Sequence, residues 1–466
     1  MATFPRSPFD PSRENMRAIG EQALDYVINF ISSREEAPAS DLDGAYELAA
    51  ALRASPPEQG LGFPALLQII DKAAQKAYDT AGPGYLAYIP GGGLFASAIA
   101  DLLADTTNRF MNISAPAPAS VQLEANVVRW LCEEFKLPPE SLGVLTSGGS
   151  MANFSAVVTA RETYLGEDLQ RGRLYVSEHV HHSITKSARL AGLPRAAIRL
   201  VPCDSRLRMD MQALSNLVRE DSKAGHKPFL VVGSAGTVNT GTIDPLEEIA
   251  EFCSEHDMWF HVDGAYGGFF QLTEAGRKRL SGVESADSIT LDPHKGMFLP
   301  YGTGSLIVRD GALLKAAHHE GADYLPTSSA DADLPDFADY SPELSRDFRG
   351  LRVWLPLHLH GVGAFRRALE EKLSLARHVY DALAESNDLE VPWEPDLSIV
   401  AFRPRSGGEA AAQQLLNTIN RSRRIFLSST SIDDTRYLRV CILSHRTGPE
   451  RIDEGIEIIL KAAANL

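Results

Sequence analysis

Apolar positions along the chain change period twice, and each change marks a part of the fold. In residues 15–34, NMRAIGEQALDYVINFISSR, the residues Ile19, Ala23, Val27 and Ile31 recur at helical spacing, which predicts an amphipathic helix. After a stretch rich in Pro, Ala and Asp, FPALLQIIDKAAQKAY predicts another helix. These first 85 or so residues carry an apolar stripe that needs a surface, supplied by the rest of the chain or by a partner subunit. From about residue 120, short β-rich runs alternate with helical ones. VQLEANVVRWLCEEF predicts a helix, GVLTSGGS a strand entering a glycine turn, and MANFSAVVTARETYL a helix again. RLYVSE, AAIRLVPCD, FLVVGSAGT, WFHVDGAYGG, SITLD and GSLIVRD predict strands. HSITKSARLAGL, MQALSNLVREDSKAG and PLEEIAEFCSEH predict helices between several of them. This alternation predicts an α/β fold with a mostly parallel central sheet covered on both faces. Sites on such sheets gather at the carboxyl ends of the strands.

Residues 323–345, DYLPTSSADADLPDFADYSPELS, have no periodicity, and a loop of that length in a compact domain is functional or disordered. Beyond it, FRGLRVWLPLHLHGVGAFRRALEEKLSLARHVYDAL predicts long helices, LSIVAFRP and YLRVCIL strands, and ERIDEGIEIILKAAANL a closing helix. The expected organisation is a helical N-terminal dimerisation segment over 1–85, a large α/β domain over 86–345 and a small α+β domain over 346–466.

The totals narrow the functional classes. With 466 residues, 44% hydrophobic and 23% charged, the chain reads as a soluble globular protein of two or three domains. Its 61 acidic against 45 basic residues disfavour a general nucleic-acid or anionic-membrane binder. Cys132, Cys203, Cys253 and Cys441 form no CxxC pair, as expected of reduced thiols. MATFPRSPFDPSRENM has no apolar signal region, and no run approaches about 18 apolar residues, so a cytoplasmic location is expected.

Four segments carry candidate chemistry. In SITLDPHKG, Lys295 follows a strand expected to be buried, where an ammonium costs several kcal/mol unless it is paired or neutral. A neutral lysine is a nucleophile for carbonyls. In TSGGSMANFSA, Gly149 and Ser150 stand where a strand turns into a helix, either an ordinary turn or a place for an anion. In HVDGAYGG, Asp263 ends a strand before small residues, either accepting turn amides or facing a cation such as a protonated pyridine nitrogen. SEHVHHS holds His179, His181 and His182, which invites a metal reading. No HExxH accompanies them and Glu178 is the nearby local carboxylate, so packed histidines, or one stacked on a flat ring, are the alternatives, and no metal is expected. Glycine turn, histidine, aspartate and lysine in this order fit pyridoxal phosphate, which carries a phosphate, a flat ring, a ring nitrogen and an aldehyde.

In the same order, TSGGSMAN, SEHVHHS, GSAGTVNTGTIDPLEEI, HVDGAYGG, DPHKG and YLRVCILSHRT resemble the group II pyridoxal-phosphate amino-acid decarboxylases, the aromatic-L-amino-acid, tyrosine, histidine and glutamate decarboxylases. The resemblance covers nearly the whole chain. It implies the fold type I, aspartate-aminotransferase-like architecture and an obligate homodimer with sites at the interface, the N-terminal helices wrapping the partner. It implies Lys295 as the Schiff-base lysine, Asp263 on the ring nitrogen, Ala265 on one ring face and His181 on the other, near the substrate carboxylate. Thr237 is implied close to the cofactor, Gly149 and Ser150 on its phosphate, and His294 beside them. The implied activity is decarboxylation of an L-amino acid, aromatic first, to the amine and CO2.

Several residues depart from the aromatic decarboxylases. Asp292 replaces an asparagine that commonly helps hold phosphate, AYIPGGG has Ile89 for an aromatic and glycine for a threonine, and Asn112 stands near a common phenylalanine. The loop tyrosine that protonates the substrate carbon in the family falls at Phe337 or at Tyr340, depending on which end of the loop is aligned, with Tyr340 slightly preferred. Phenylalanine there would favour decarboxylation coupled to oxidative deamination, giving an aldehyde, ammonia and peroxide. Retro-aldol cleavage on the same scaffold, excluded by CO2 release, and a non-catalytic interaction protein, unaffected by Lys295→Ala, are the further readings.

Overall fold

The computed structural model describes residues 9–321 and 334–466, so the first half of the long loop lies outside the described residues. Three helices open the chain: α1 (Arg13–Ser32), α2 (Ala45–Ala51) and α3 (Phe63–Gln75). Ser12 caps α1, its hydroxyl accepting the Asn15 N–H at 3.2 Å. None of the three helices has a buried residue. Met16, Leu24, Ile28, Leu66, Ile69 and Ile70 are exposed, the apolar surface that the pattern left in need of a partner.

Helices α4 (Phe95–Thr107) and α5 (Pro118–Glu134) lead into a seven-stranded sheet. Its strands are β1 (Leu142–Thr146), β2 (Gly172–Ser177), β3 (Ile198–Val201), β4 (Lys227–Ser234), β5 (Trp259–Gly264), β6 (Ser288–Leu291) and β7 (Gly304–Val308), in the order β1-β7-β6-β5-β4-β2-β3. Every run predicted as a strand in this part of the chain is one. Parallel pairing joins β3, β2, β4, β5 and β6, while β7 lies antiparallel between β6 and β1. Because β7 runs the other way, its first residues meet the carboxyl ends of β1 and β6. Gly304 fits there because an added Cβ would lie 2.4 Å from the carbonyl carbon of Gly148.

The connections are α6 (Gly149–Tyr164), α7 (His182–Leu190), α8 (Met211–Lys223), α9 (Leu246–Glu255), α10 (Glu274–Arg279) and the single turn α11 (Pro293–Gly296). After β7 come α12 (Gly311–His318), α13 (Arg349–His360) and α14 (Val362–Ala384). The four-stranded sheet β8 (Leu389–Glu390), β9 (Ile399–Pro404), β10 (Ser428–Ile432) and β11 (Thr435–Cys441) is antiparallel, and α15 (Gly408–Arg421) and α16 (Pro449–Ala463) cover it. Two cores result. The large one is the sheet's filling, with Val144, Leu174, Val231, Val262 and Ile289 wholly buried. The second begins at Leu375, midway along α14, whereas Val353 and Leu357 of α13 belong to the first. Leu86 also belongs to the second core, so the chain reaches the small domain before the large sheet is built.

Candidate active site

The sequence-predicted residues meet at the carboxyl ends of β1, β2, β4, β5 and β6. A narrow cleft there is lined by His181, Ser234, Thr237, Asp263, Ala265 and Lys295, among others. Asp263 is the penultimate residue of β5, paired with Thr290 of β6 and Ser234 of β4, so neighbouring strands hold it in place from both sides. Its Oδ1 accepts the Ala265 N–H at 3.2 Å and its Oδ2 accepts the Asn153 side-chain N–H at 3.0 Å. Both donors favour the carboxylate as acceptor and leave its charge facing the cleft.

Asn153 sits one turn into α6 and joins two chains of hydrogen bonds. Its amide also donates to Ser183 Oγ at 2.9 Å, and Ser183 Oγ lies 2.7 Å from His181 Nδ1. The Ser183 N–H points at the same nitrogen at 3.3 Å, so Nδ1 is an acceptor and the ring proton resides on Nε2. Burial pushes the His181 imidazole below its ordinary pKa, with Asp263 opposing, so the ring is neutral at pH 7. On the other side, Asn153 Oδ1 lies 3.1 Å from His261 Nε2, and His261 Nδ1 lies 2.8 Å from Ser288 Oγ. Trp259 Nε1–H donates to that oxygen at 2.8 Å. The Asn153 amide donates to Asp263 and its Oδ1 can only accept, so a neutral His261 donates through Nε2 and accepts at Nδ1 from Ser288, and every proton in this chain points from Trp259 toward Asp263. Burial pushes His261 down to about 4, which keeps it a neutral link.

Lys295 occupies the turn after β6, its Nζ 2.9 Å from Asp292 Oδ2. The Asp292 carboxylate thus offsets the cost of holding the Lys295 ammonium at this strand end. His294 Nδ1 lies 2.6 Å from the Thr303 carbonyl, which the antiparallel β7 brings to this edge. Burial pushes His294 below its ordinary pKa. Helix α6 begins at Gly149 without a side-chain cap, and a Cβ on Gly149 would lie 3.0 Å from Asp292 Oδ2 and 3.1 Å from Ala265 Cβ. Glycine there lets backbone and cleft approach closely. Thr237 is buried after β4, its hydroxyl 3.2 Å from Thr240 Oγ1.

The AYIPGGG segment before α4 reaches the turn that carries Lys295. Gly91 packs on the carbonyl of His294, leaving 2.2 Å for an added Cβ, and Ile89 is buried beside it. Tyr88 takes a left-handed backbone (φ 53°) and is 54% exposed. Arg439 of β11 fastens this segment to the site. Its Nε donates to the Asn239 carbonyl at 2.9 Å, Nη2 to the Tyr88 carbonyl at 3.3 Å, and Nη2 also to Val238. Asn112 is wholly buried.

Tyr340 is the predicted residue that this chain does not bring to the cleft. It ends a short turn, Phe337–Tyr340, packed on α12, where the Lys315 ammonium lies 5.9 Å from its ring centre. Phe337 is fully buried, with the Arg346 guanidinium 4.8 Å from its ring. The physical reason is that α12 starts beyond the far end of β7, away from the strand ends that carry Lys295. Asn153, Ser183, His261, Ser288 and Arg439 were given no role from sequence. His261 carried a signal: two residues before Asp263 in a strand, it shares that residue's face.

The donor set fits pyridoxal phosphate. An uncapped helix start with glycine suits the phosphate, a fixed buried carboxylate the protonated ring nitrogen, a small Ala265 and a neutral His181 the ring faces, and an amine the aldehyde. Among the described residues no group of three or more His, Cys, Asp or Glu could hold a metal ion, and no helix is long and apolar enough to cross a membrane.

Comparison with known proteins points the same way. The family described as pyridoxal-dependent decarboxylase conserved domain matches residues 47–405. An aromatic-L-amino-acid decarboxylase of Bacillus atrophaeus is 33% identical, the match covering 97% of this chain and 96% of that protein. Tryptophan decarboxylase 2 of Oryza sativa subsp. japonica is 27% identical, covering 97% of this chain and 95% of the relative. Among solved structures, Oryza sativa TDC with PLP and tryptamine superposes with a TM-score of 0.92 at 25% identity, covering 99% of each chain.

Proposed function

The chain belongs to the pyridoxal-dependent decarboxylase family and is a pyridoxal-phosphate-dependent amino-acid decarboxylase, a carboxy-lyase; from that premise we propose that its substrate is an aromatic L-amino acid, released as the amine and CO2. The observation that carries the reading is the meeting of Lys295, Asp263, His181 and Thr237 around one cleft. The aromatic preference draws support from the Bacillus and rice relatives, which are named for aromatic substrates.

The cofactor, when bound, supplies an electron sink for the pair of electrons left at the substrate carbon once CO2 departs. Everything else falls to the protein. Lys295 would supply the amine that holds the cofactor's aldehyde carbon. Asp263, held by Asn153 and the Ala265 amide, would face the ring nitrogen and favour a proton there. Gly149 and Ser150 at the start of α6, with His294 close by, would hold the phosphate. His181 covers one ring face, and its Nε2–H is the donor left for the substrate carboxylate, since Nδ1 is engaged by Ser183. Orienting the carboxylate and excluding water is what selects loss of CO2 over other bond cleavages.

We assign the proton returned to carbon to Tyr340, delivered to the cleft of a second subunit. Full burial of Phe337 and partial exposure of Tyr340 support this choice, and with it amine over aldehyde as product. The exposed apolar faces of α1 and α3 support a homodimer with sites at its interface. The four free cysteines support a reducing, cytoplasmic location.

The test is incubation of the holoenzyme with the proteinogenic amino acids, dopa and diaminobutyrate, measuring CO2, amine and peroxide. CO2 and amine from aromatic substrates without peroxide is the expected result. Fastest turnover of a non-aromatic substrate overturns the substrate class, and stoichiometric peroxide overturns Tyr340. Lys295→Ala should abolish the visible absorbance of the bound cofactor.

A further inference from the structure

The turn Phe337–Tyr340 is fastened at each of its residues except the last. Asp336, just before it, accepts two bonds on one oxygen: the Ser114 N–H reaches Oδ1 at 2.6 Å and the Ser114 hydroxyl reaches it at 2.8 Å. Ser114 is itself buried. Two residues on from Asp336, the Ala338 N–H donates to the Asn112 carbonyl at 2.9 Å, so residues 112 and 114 grip the turn at two points. Phe337, between them, is wholly buried. Helix α12 holds Asp339, whose carboxylate oxygens lie 2.9 Å from Lys315 Nζ and 2.9 Å from His319 Nδ1. Tyr340 is half-buried, and its hydroxyl has no hydrogen-bond partner among the described residues. Bonds to an ionised carboxylate are stronger than neutral ones, and here they converge on the residues that flank one unengaged hydroxyl.

We propose that Asp336, gripped by Ser114, is a positioning residue that fixes where the Tyr340 hydroxyl stands, and so decides whether the substrate carbon gains a proton or gives up electrons to dioxygen. This rests on the reading of Tyr340 as the proton donor. When CO2 departs, the bonding electron pair stays behind at the substrate carbon. With the hydroxyl in place, Tyr340 Oη gives its proton to that carbon, a C–H bond forms, and the amine is released. With the turn loosened, dioxygen takes two electrons and two protons and becomes hydrogen peroxide, while water supplies the oxygen of an aldehyde and ammonia leaves. Amino acid, O2 and water then give aldehyde, CO2, ammonia and H2O2. Proton transfer needs the hydroxyl within hydrogen-bond reach, and a misplacement of about 1 Å can cost on the order of a hundredfold in rate. Dioxygen diffuses freely and does not depend on that placement.

The experiment supplies the holoenzyme with L-phenylalanine, L-tyrosine, L-tryptophan and dopa in air-saturated buffer, and measures amine and peroxide. Relative to the unaltered protein, the peroxide-to-amine ratio is expected to rise at least about tenfold in Asp336→Ala. Ser114→Ala removes the hydroxyl bond, leaves the backbone one, and should raise the ratio less. Asp336→Asn keeps an acceptor for Ser114 and should lie closest to the unaltered protein. A purely structural role would lower CO2 release and leave the ratio where it was. Tyr340→Phe, run beside them, separates the two readings. A raised ratio in Tyr340→Phe with an unchanged one in Asp336→Ala overturns the proposal alone. An unchanged ratio in both overturns the reading of Tyr340 and the proposal with it. Should Asp336→Ala fail to fold, Ser114→Ala decides by the same ratio.

Discussion

Replacing Asn153 by leucine keeps the side chain's volume while removing three hydrogen bonds at the centre of the site. The Asp263 carboxylate loses one of its two donors, His261 Nε2–H its acceptor, and Ser183 Oγ its donor. All these groups are buried, so water does not replace Asn153. A stranded buried polar group costs about 1–3 kcal/mol, and a lost bond to a charge sits at the upper end. The sum for Asn153→Leu is therefore about 3–5 kcal/mol, large against the ordinary 5–15 kcal/mol of a folded domain. Urea unfolding of the cofactor-free enzyme measures it directly. Cofactor affinity should weaken as well, because Asp263 is then steered by the Ala265 amide alone. Asn153→Asp should be worse for cofactor than leucine, since it sets a second carboxylate about 3 Å from Asp263. A stability loss under about 1 kcal/mol with unaltered cofactor affinity would refute the hub.

Three further outcomes are expected. His261 and His445 are pushed by burial to about 4 and about 3, so both stay neutral in the fold while the unfolded chain takes up protons below about 6.5. Stability should thus fall as pH drops through the window from about 6.5 to 4, by about 3 kcal/mol for each such group. Asp244, pushed up to about 6 by burial, acts in the opposite sense, so the measurement is the difference in acid slope between the unaltered protein and His445→Gln; equal slopes sink the assignment. Glu124→Gln strips the counter-charge from Arg346, paired at 2.6 Å with both side chains fully buried, and should cost about 3–5 kcal/mol in denaturant unfolding; less than about 1 kcal/mol would mean the pair is dispensable. The double substitution Leu66→Glu with Ile70→Glu places two charges on the exposed face of α3 and should leave monomers in sedimentation velocity; an intact dimer would assign that face another role.

What the sequence revealed depended on how local each signal was. Strands β1 to β7 were legible because each is a short apolar run closed by Gly, Asp or Ser, a pattern independent of distant contacts. Asp263 and Lys295 were legible because a polar residue after such a run is itself an anomaly. The two-residue β8 and the edge strand β10, SSTSI, escaped because their composition is that of loops and only pairing makes them regular, whereas helix α2, AYELAAA, has a helix-forming composition and escaped because it is seven residues long within a stretch without apolar periodicity. Asn153 escaped because an amide inside a helix has many uses, and its partners come from three separate segments. Asp292 was singled out as an oddity, but its bond to Lys295 follows from the single turn of α11, which brings positions three apart together. The expectation for Tyr340 rested on counting through a loop, and counting cannot say that the turn it ends will lie along α12.

The hydrogen-bond chain behind Asp263 has a consequence for proton traffic. Its outer end is an indole, which has no lone pair to receive a proton, and one of its inner links is an amide, which does not relay one. No rearrangement of hydrogens can reverse the direction of the chain without breaking a bond in it. It therefore works as an electrical insulator: the carboxylate is polarised from behind, yet a proton can reach it only from the cleft. Asp263 is shut off from the interior of the sheet and meets solvent through the cleft.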